Sequence, residues 1–187
     1  MVLAAPVRPS TEEPAYPDDA LVAARIWGAK NMSVYLLLKW IHILSSVLLV
    51  GVGFGSAFYL YFINRSRNVS AIAEVSRLVV RADYWFTVPT VLLQPASGLA
   101  LATMAGYSLT SKWLLATYFL FVVAGMSWLP VVWMQIQMAK IARTSVATKT
   151  VLPQCYWHYA VLWKRLGMVA FPAMLIVYGL MVFKPNF

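Results

Sequence analysis

The sequence predicts an all-α, polytopic integral membrane protein, a bundle of four transmembrane helices with both chain ends on the outer side. Hydrophobic residues make up 61% of the chain and charged residues only 11%, against roughly 25% charged residues in a soluble domain. The apolar residues gather in four segments, each with the roughly 20 residues that a crossing helix needs. Backbone groups in hydrocarbon must find partners within the segment, and alternating hydropathy is absent, so we expect helices.

The predicted helices are separated by short polar linkers, which leave no room for a soluble domain. The four helices cover Val34–Ile63, Tyr84–Met104, Trp113–Met138 and Tyr159–Phe183.

Residues 1–31 form an extension rich in proline, alanine and charge, and they lack the apolar core of a signal peptide. We expect this extension to be disordered. Met32 opens the stretch MSVYLLLKW, a natural start for a membrane protein. We therefore predict that translation begins at Met32 and that residues 32–187 form the transmembrane domain.

The basic residues predict the orientation. They concentrate in the first and third linkers and their flanks: Arg65, Arg67, Arg77, Arg81, Lys140, Arg143, Lys149, Lys164 and Arg165. The second linker has only Lys112, so the first and third linkers should be cytoplasmic. Because the basic residues lie between the apolar segments, the formal charge of +9 does not indicate a nucleic-acid partner. We expect a multi-pass protein of the bacterial inner membrane whose surroundings are the lipid bilayer.

His42 is the strongest functional lead, because it lies near the middle of the first helix. An ionisable side chain inside a bilayer is costly and usually faces a partner, a cavity or a ligand. Lys39, about one turn earlier, is the only charged residue of that helix. Imidazole is a common metal ligand, so His42 is a candidate ligand to a metal or cofactor.

One face of the first helix carries small and polar residues, as a packed or cavity-lining face does. At about 100° per residue its members are Tyr35, His42, Ser46, Leu49, Gly53 and Ser56. Gly51 and Gly55 form a G-x-x-x-G pair on roughly the opposite side. Ordinary packing within the bundle explains this pair, and so does a homodimer or another partner in a membrane complex.

Gln94 is the intramembrane polar residue of the second helix. Counted from the outer ends, His42 is about eight residues deep and Gln94 about ten, which gives similar depths at ~1.5 Å per residue. We therefore predict a hydrogen bond between them. Two interpretations stay open: a bond that joins two helices, worth ~1–2 kcal/mol, or a contact that fixes which ring nitrogen of His42 faces a ligand.

His158 lies at the cytoplasmic edge of the fourth helix, so much of a ~30 Å hydrocarbon core separates it from His42. A haem held by both histidines of one chain is therefore excluded. Cys155 is the only cysteine, which excludes an internal disulfide and a cysteine metal cluster. Arg81 and Asp83 should pair at the start of the second helix. Residues 64–80 are predicted to be an amphipathic lead-in on the inner leaflet.

Four stretches of the sequence resemble a bacterial family of predicted integral membrane proteins of unknown function, DUF2269. They are YLLLKWIHILSSVLLVGVGFGSAF, RLVVRADYWFTVPTVLLQPASGLALA, WLPVVWMQIQMAKIA and MVFKP. With the residues between them, they cover nearly everything from Met32 to Phe187.

More distantly, the stretch LKWIHI followed by glycines looks like HemJ-type protoporphyrinogen oxidases and the CopD membrane domain, and the final VFKP looks like the HemJ type. The resemblance to HemJ-type proteins implies haem b bound through His42. The chain departs from them in a third helix without histidine and in the opening of the fourth helix, which argues against protoporphyrinogen oxidation.

Three functional hypotheses follow. The first is a haem b or tetrapyrrole-binding redox protein, with His42 as the metal ligand, Gln94 supporting it and Lys39 near a carboxylate of the bound group. The second is a non-enzymatic accessory or scaffold subunit of a membrane complex, in which His42 and Gln94 only join helices. The third, copper handling by analogy with CopD, ranks last because the methionines are not clustered.

Overall fold

The computed structural model describes residues 18–185, with side chains from Gly28 onward. The chain divides into two units, residues 1–37 and residues 38–187. The described part of the first unit is helical from Asp18 onward. Five α-helices and one π-helical turn make up the described chain: α1 Asp18–Ser66, α2 Val69–Ala82, the π turn Asp83–Thr87, α3 Val88–Met104, α4 Lys112–Ala147 and α5 Gln154–Phe183.

The prediction of four membrane-crossing helices is confirmed. Four helical stretches of the described chain are long and apolar enough to cross a membrane: Gly28–Ser66, Val69–Met104, Lys112–Ala147 and Gln154–Phe183. The predicted helix ends at Met104 and Phe183 agree with the structure. At the other boundaries the helices extend beyond the predicted segments. Hydropathy marks only the apolar part of a helix. The helical backbone continues into the polar residues on either side of that part.

The extension before Met32 is only partly described. α1 begins at Asp18, so the described backbone of residues 18–31 is helical. Residues 1–17 lie outside the described part of the chain, and both the disorder expected of the extension and a translation start at Met32 stay predictions.

α2 is the amphipathic segment that the sequence placed on the inner leaflet. Asn68 caps it, because its side-chain oxygen accepts a hydrogen bond from the backbone N–H of Ala71 at 3.1 Å. Its apolar face is buried against protein, since Ile72 and Val79 belong to one core cluster with Met134 and Met138 of α4. The lead-in is therefore an additional packed helix that continues into the second crossing.

The π turn joins α2 to α3 without a break. The N–H of Val88 donates to the carbonyl of Asp83, five residues earlier, instead of four. Pro89 follows at the start of α3 and has no N–H, so the carbonyl of Trp85 cannot receive the usual α-helical bond. A single π turn accommodates this loss and changes the direction of the side chains that follow.

The connections at the two ends of the bundle are short. Between α1 and α2, Arg67 adopts a left-handed backbone with φ of 58°, and its guanidinium lies 3.8 Å from the centre of the Trp157 ring. After α3, Gly106 has φ of 73°, and the N–H of Tyr107 donates to the carbonyl of Ala102 at 2.9 Å. This is a Schellman end, which favours glycine at the left-handed position.

The main core lies where α1, α2, α4 and α5 come together. Tyr156 of α5 is fully buried there, and its hydroxyl donates to Asn64 of α1 at 2.7 Å. Farther along α5, the Tyr178 hydroxyl donates to the Ser46 carbonyl at 2.7 Å. A smaller cluster of Ala102, Trp113 and Leu114 closes the other end. These contacts attach α1 to α5 at two depths and so fix the face that α1 offers to α3.

The outer surfaces of the helices carry many exposed large apolar side chains, which is the opposite of a water-soluble surface. Trp40, Val47, Leu92, Phe119 and Met168 are each more than half exposed. Such a surface is stable only in hydrocarbon, so the protein lies in a lipid bilayer and crosses it several times.

Candidate functional site

His42 of α1 packs against α3 in the described structure. Its ring is half-buried, and its Nδ1 lies 2.7 Å from the hydroxyl oxygen of Ser97. The Ser97 hydroxyl in turn lies 2.6 Å from the carbonyl oxygen of Leu93, one turn earlier on α3. The site is therefore a short chain of hydrogen bonds from the α3 backbone through Ser97 to the imidazole.

This chain of bonds decides the tautomer of His42. A serine hydroxyl has one hydrogen, and a carbonyl oxygen can only accept, so Ser97 donates to Leu93. The Ser97 oxygen then accepts from His42, which puts the ring hydrogen on Nδ1. Nε2 consequently carries the free lone pair. A histidine whose Nδ1–H is held by an oxygen and whose Nε2 is unprotonated has the arrangement typical of metal-binding histidines.

Gln94 lies one turn before Ser97 on α3 and is 9% exposed. Its Nε2 donates to the backbone carbonyl of His42 at 2.8 Å and to the hydroxyl of Ser45 at 2.5 Å. The predicted hydrogen bond between the two residues is therefore present, but it involves the backbone of His42 and not its ring. The role foreseen for Gln94, fixing the ring nitrogens, falls to Ser97 in the structure.

Gly98 gives the imidazole its space. A Cβ at this position would lie 3.2 Å from Cε1 of His42, tighter than ordinary van der Waals contact. The ring thus turns its Cε1 edge toward the one position of this contact that has no side chain.

The Gly98→Ala substitution is expected to push the ring of His42 away from Ser97 and to raise the share of the Nε2–H tautomer. ¹⁵N resonances of labelled histidine would measure this share, and the chain has only two histidines to assign. Gly51→Ala on α1 is the matched control, since nothing described lies within 4 Å of its Cβ position. Identical His42 resonances in Gly98→Ala and the wild type would contradict the expectation.

Lys39 and His158, two further residues considered from the sequence, are both exposed. Lys39 is exposed on α1, three residues before His42, so the two side chains neighbour each other on the helix surface. His158 is exposed in the first turns of α5, near the end of the bundle where Tyr156 meets Asn64. The two histidines of the chain therefore belong to different ends. Among the described residues, no group of three or more His, Cys, Asp or Glu could hold a metal ion.

Sequence reasoning missed Ser45, Ser97 and Gly98. The small residues Ser97 and Gly98 follow Gln94 by about one turn, and that spacing is the signal that could have found them. Ser45 lies three residues after His42 and is 4% exposed, beside the predicted stripe and not on it.

The expected pairing of Arg81 with Asp83 is wrong. Arg81 is exposed, whereas Asp83 is 4% exposed and accepts a hydrogen bond from Thr87. The ion pair found within the described chain is Glu74–Arg77 on α2.

A family model described as "predicted integral membrane protein (DUF2269)" matches residues 36–185. No curated protein and no solved structure matches the chain. The matched region contains α3, α4, α5 and His42 with its contacts. Because the match spans most of the sequence, the chain belongs to the DUF2269 family of predicted integral membrane proteins.

Proposed function

We propose that this membrane protein binds haem b, or a related metal-centred tetrapyrrole, through Nε2 of His42. The observation that carries the proposal is the 2.7 Å contact between His42 Nδ1 and the Ser97 hydroxyl, whose own hydrogen goes to the Leu93 carbonyl. It leaves Nε2 with a lone pair and holds the ring in one orientation, as a metal ligand requires.

Two neighbours of His42 support the proposal. Lys39 is exposed about one turn away along α1, so its ammonium group can lie close to a propionate of the bound group. Gln94 keeps α1 and α3 at a fixed separation through Ser45 and the His42 backbone. Because His158 lies at the other end, one chain offers one histidine to the metal. A haem held there would supply redox chemistry, which is the proposed function.

A non-enzymatic accessory subunit is the second candidate, and a specific observation favours it. The hydrogen bonds of Gln94 join two helices whether or not a cofactor is bound. Gly51 of α1 is exposed, and no described group lies within 4 Å of its Cβ position, so a helix of another chain or a second copy can approach there.

The proposed location is the bacterial inner membrane, with both chain ends outside. Arg67 and Lys149 lie in the connections at one end of the bundle, where α1 passes to α2 and α4 passes to α5. The preference of basic residues for the cytoplasmic side supports this orientation.

Absorption spectra of the detergent-purified protein from haem-replete cells, oxidised and then reduced with dithionite, test the proposal. We expect a Soret band and the reduced bands of a b-type haem. Titration of haemin into the protein from haem-depleted cells should restore the same spectrum. A colourless protein that also fails to take up haemin would overturn the proposal. It would favour the accessory role, which crosslinking and co-purification from membranes would then examine.

A further inference from the structure

A second polar centre lies about 20 Å along α3 from Ser97, at ~1.5 Å per residue, and it is independent of the His42 site. It is built on the π turn Asp83–Thr87, whose sequence is DYWFT. The three aromatic residues Tyr84, Trp85 and Phe86 are exposed, whereas Asp83 and Thr87 are 4% and 2% exposed. The turn therefore directs its two polar side chains inward and its aromatic side chains outward.

The depth of this centre follows from the helix lengths. The 5-residue π turn and the 17-residue α3 together rise about 30 Å, close to the ~30 Å thickness of a hydrocarbon core. With Met104 at one boundary of such a core, this length places Asp83 near the other boundary, at the level of the exposed Tyr84 and Trp85, which suit an interfacial belt.

The hydrogen bonds of Asp83 are incomplete. Its Oδ1 accepts from the Thr87 hydroxyl at 2.9 Å. Its Oδ2 is buried and has no hydrogen-bond partner among the described residues. Gln135 of α4, 5% exposed, turns the N–H2 of its amide toward this carboxyl, whereas its Oε1 is also buried without a partner in the described chain. Two oxygen atoms that can only accept therefore belong to neighbouring side chains.

No described positive charge faces Asp83. The segments in contact with the π turn are α2, α3 and, through Gln135, α4. α3 has no ionisable residue, and the cations of α2 and α4 are all exposed: Arg77, Arg81, Lys112, Lys140 and Arg143. An ionised carboxylate buried without a cation has a large desolvation cost, which usually neutralises the group instead.

We propose that Asp83 is a proton-binding site, in which the buried carboxyl holds a proton on Oδ2 and the Gln135 amide, turned end for end, accepts it on Oε1. A single hydrogen then satisfies both orphan oxygens, while Oδ1 keeps its bond from Thr87. Release leaves the carboxylate on Asp83 and delivers the proton to water at the nearby membrane boundary. The π turn stabilises this arrangement by presenting Asp83 and Thr87 to α4 together. The ligand of the site is thus the proton itself.

Infrared difference spectroscopy of the full chain in lipid nanodiscs, Asp83→Asn against the wild type at neutral pH, tests this site. We expect the carbonyl stretch of a protonated carboxyl in the wild type, displaced in D₂O and lost in Asp83→Asn. Glu74→Gln is the matched control on the same helical segment, because the exposed Glu74 pairs with Arg77 and should contribute only carboxylate bands. The chain has six Asp and Glu residues in all, so the assignment is tractable.

Gln135→Leu is the second variant and keeps the test decisive if Asp83→Asn does not fold. It removes the acceptor, so the carboxyl band should move to higher frequency while remaining present. An unmoved band would overturn the Asp83–Gln135 link. Carboxylate bands alone in the wild type would overturn the proposal in one of two ways. If they respond to sodium or potassium, the site binds a metal cation. If they do not, Gln135 keeps the orientation in which its amide donates to an ionised Asp83.

Discussion

The His42→Ala protein is expected to insert and fold but to lose haem b. Removing the imidazole takes away the single protein ligand that one chain offers, and changes to groups that only support a ligand already cost ~10–100-fold in metal affinity. We therefore expect the Soret absorbance per chain to fall by more than about tenfold. The lost bond to Ser97 should cost only about 1 kcal/mol of helix association, so loss of the fold does not explain loss of the pigment.

Two further measurements separate a ligand from a packing residue. His158→Ala is the matched control, since His158 is exposed at the other end, and its haem content should equal that of the wild type. Imidazole added to His42→Ala should enter the space beside Gly98 and restore a b-type spectrum. A variant that retains full haem, or whose loss is reproduced by His158→Ala, would show that His42 is not the ligand.

The fold was predictable from sequence as far as it depends on hydropathy. Four crossings, and the ends at Met104 and Phe183, follow from the apolar content of each segment. The extent of α2 did not follow, because its helix is held by contacts with α4 that only the folded chain makes. The π turn was equally hidden, since Pro89 indicates a disturbed helix but not whether the chain kinks or adds a residue to one turn.

The candidate site was predictable in its residue types and depth but not in its bonds. Counting inward from the helix ends placed His42 and Gln94 together, and the structure joins them. Gln94 and Ser97 are three residues apart, so they share a face of α3 and differ by about 4.5 Å along its axis. Hydropathy does not fix which of the two meets the imidazole. Asp83 shows the same limit. Proximity in sequence favours an ion pair with Arg81, whereas the π turn buries the carboxyl against α4.

Gln94→Leu is expected to lower the free energy of unfolding in detergent by about 1–2 kcal/mol. Gln94 donates two hydrogen bonds from α3 to α1, and hydrogen bonds between membrane helices average ~0.6 kcal/mol, with a maximum near 1.7. Leucine keeps most of the volume, so the loss reflects hydrogen bonding and not a cavity. Titration of the purified protein with sodium dodecyl sulfate, followed by circular dichroism and tryptophan fluorescence, would measure the change.

The Gln94→Leu variant also tests whether the contact between α1 and α3 supports haem binding as well as stability. Thr90→Val removes a hydroxyl of α3 that bonds only to its own helix, at 2.7 Å from the Phe86 carbonyl, and it should leave the midpoint nearly unchanged. Haem content of Gln94→Leu should fall less than that of His42→Ala, because Ser97 still fixes the ring. If Gln94→Leu unfolds like the wild type, the α1–α3 contact does not depend on Gln94. If it loses haem as completely as His42→Ala, Gln94 positions the ligand as strongly as Ser97 does, through the spacing of the two helices.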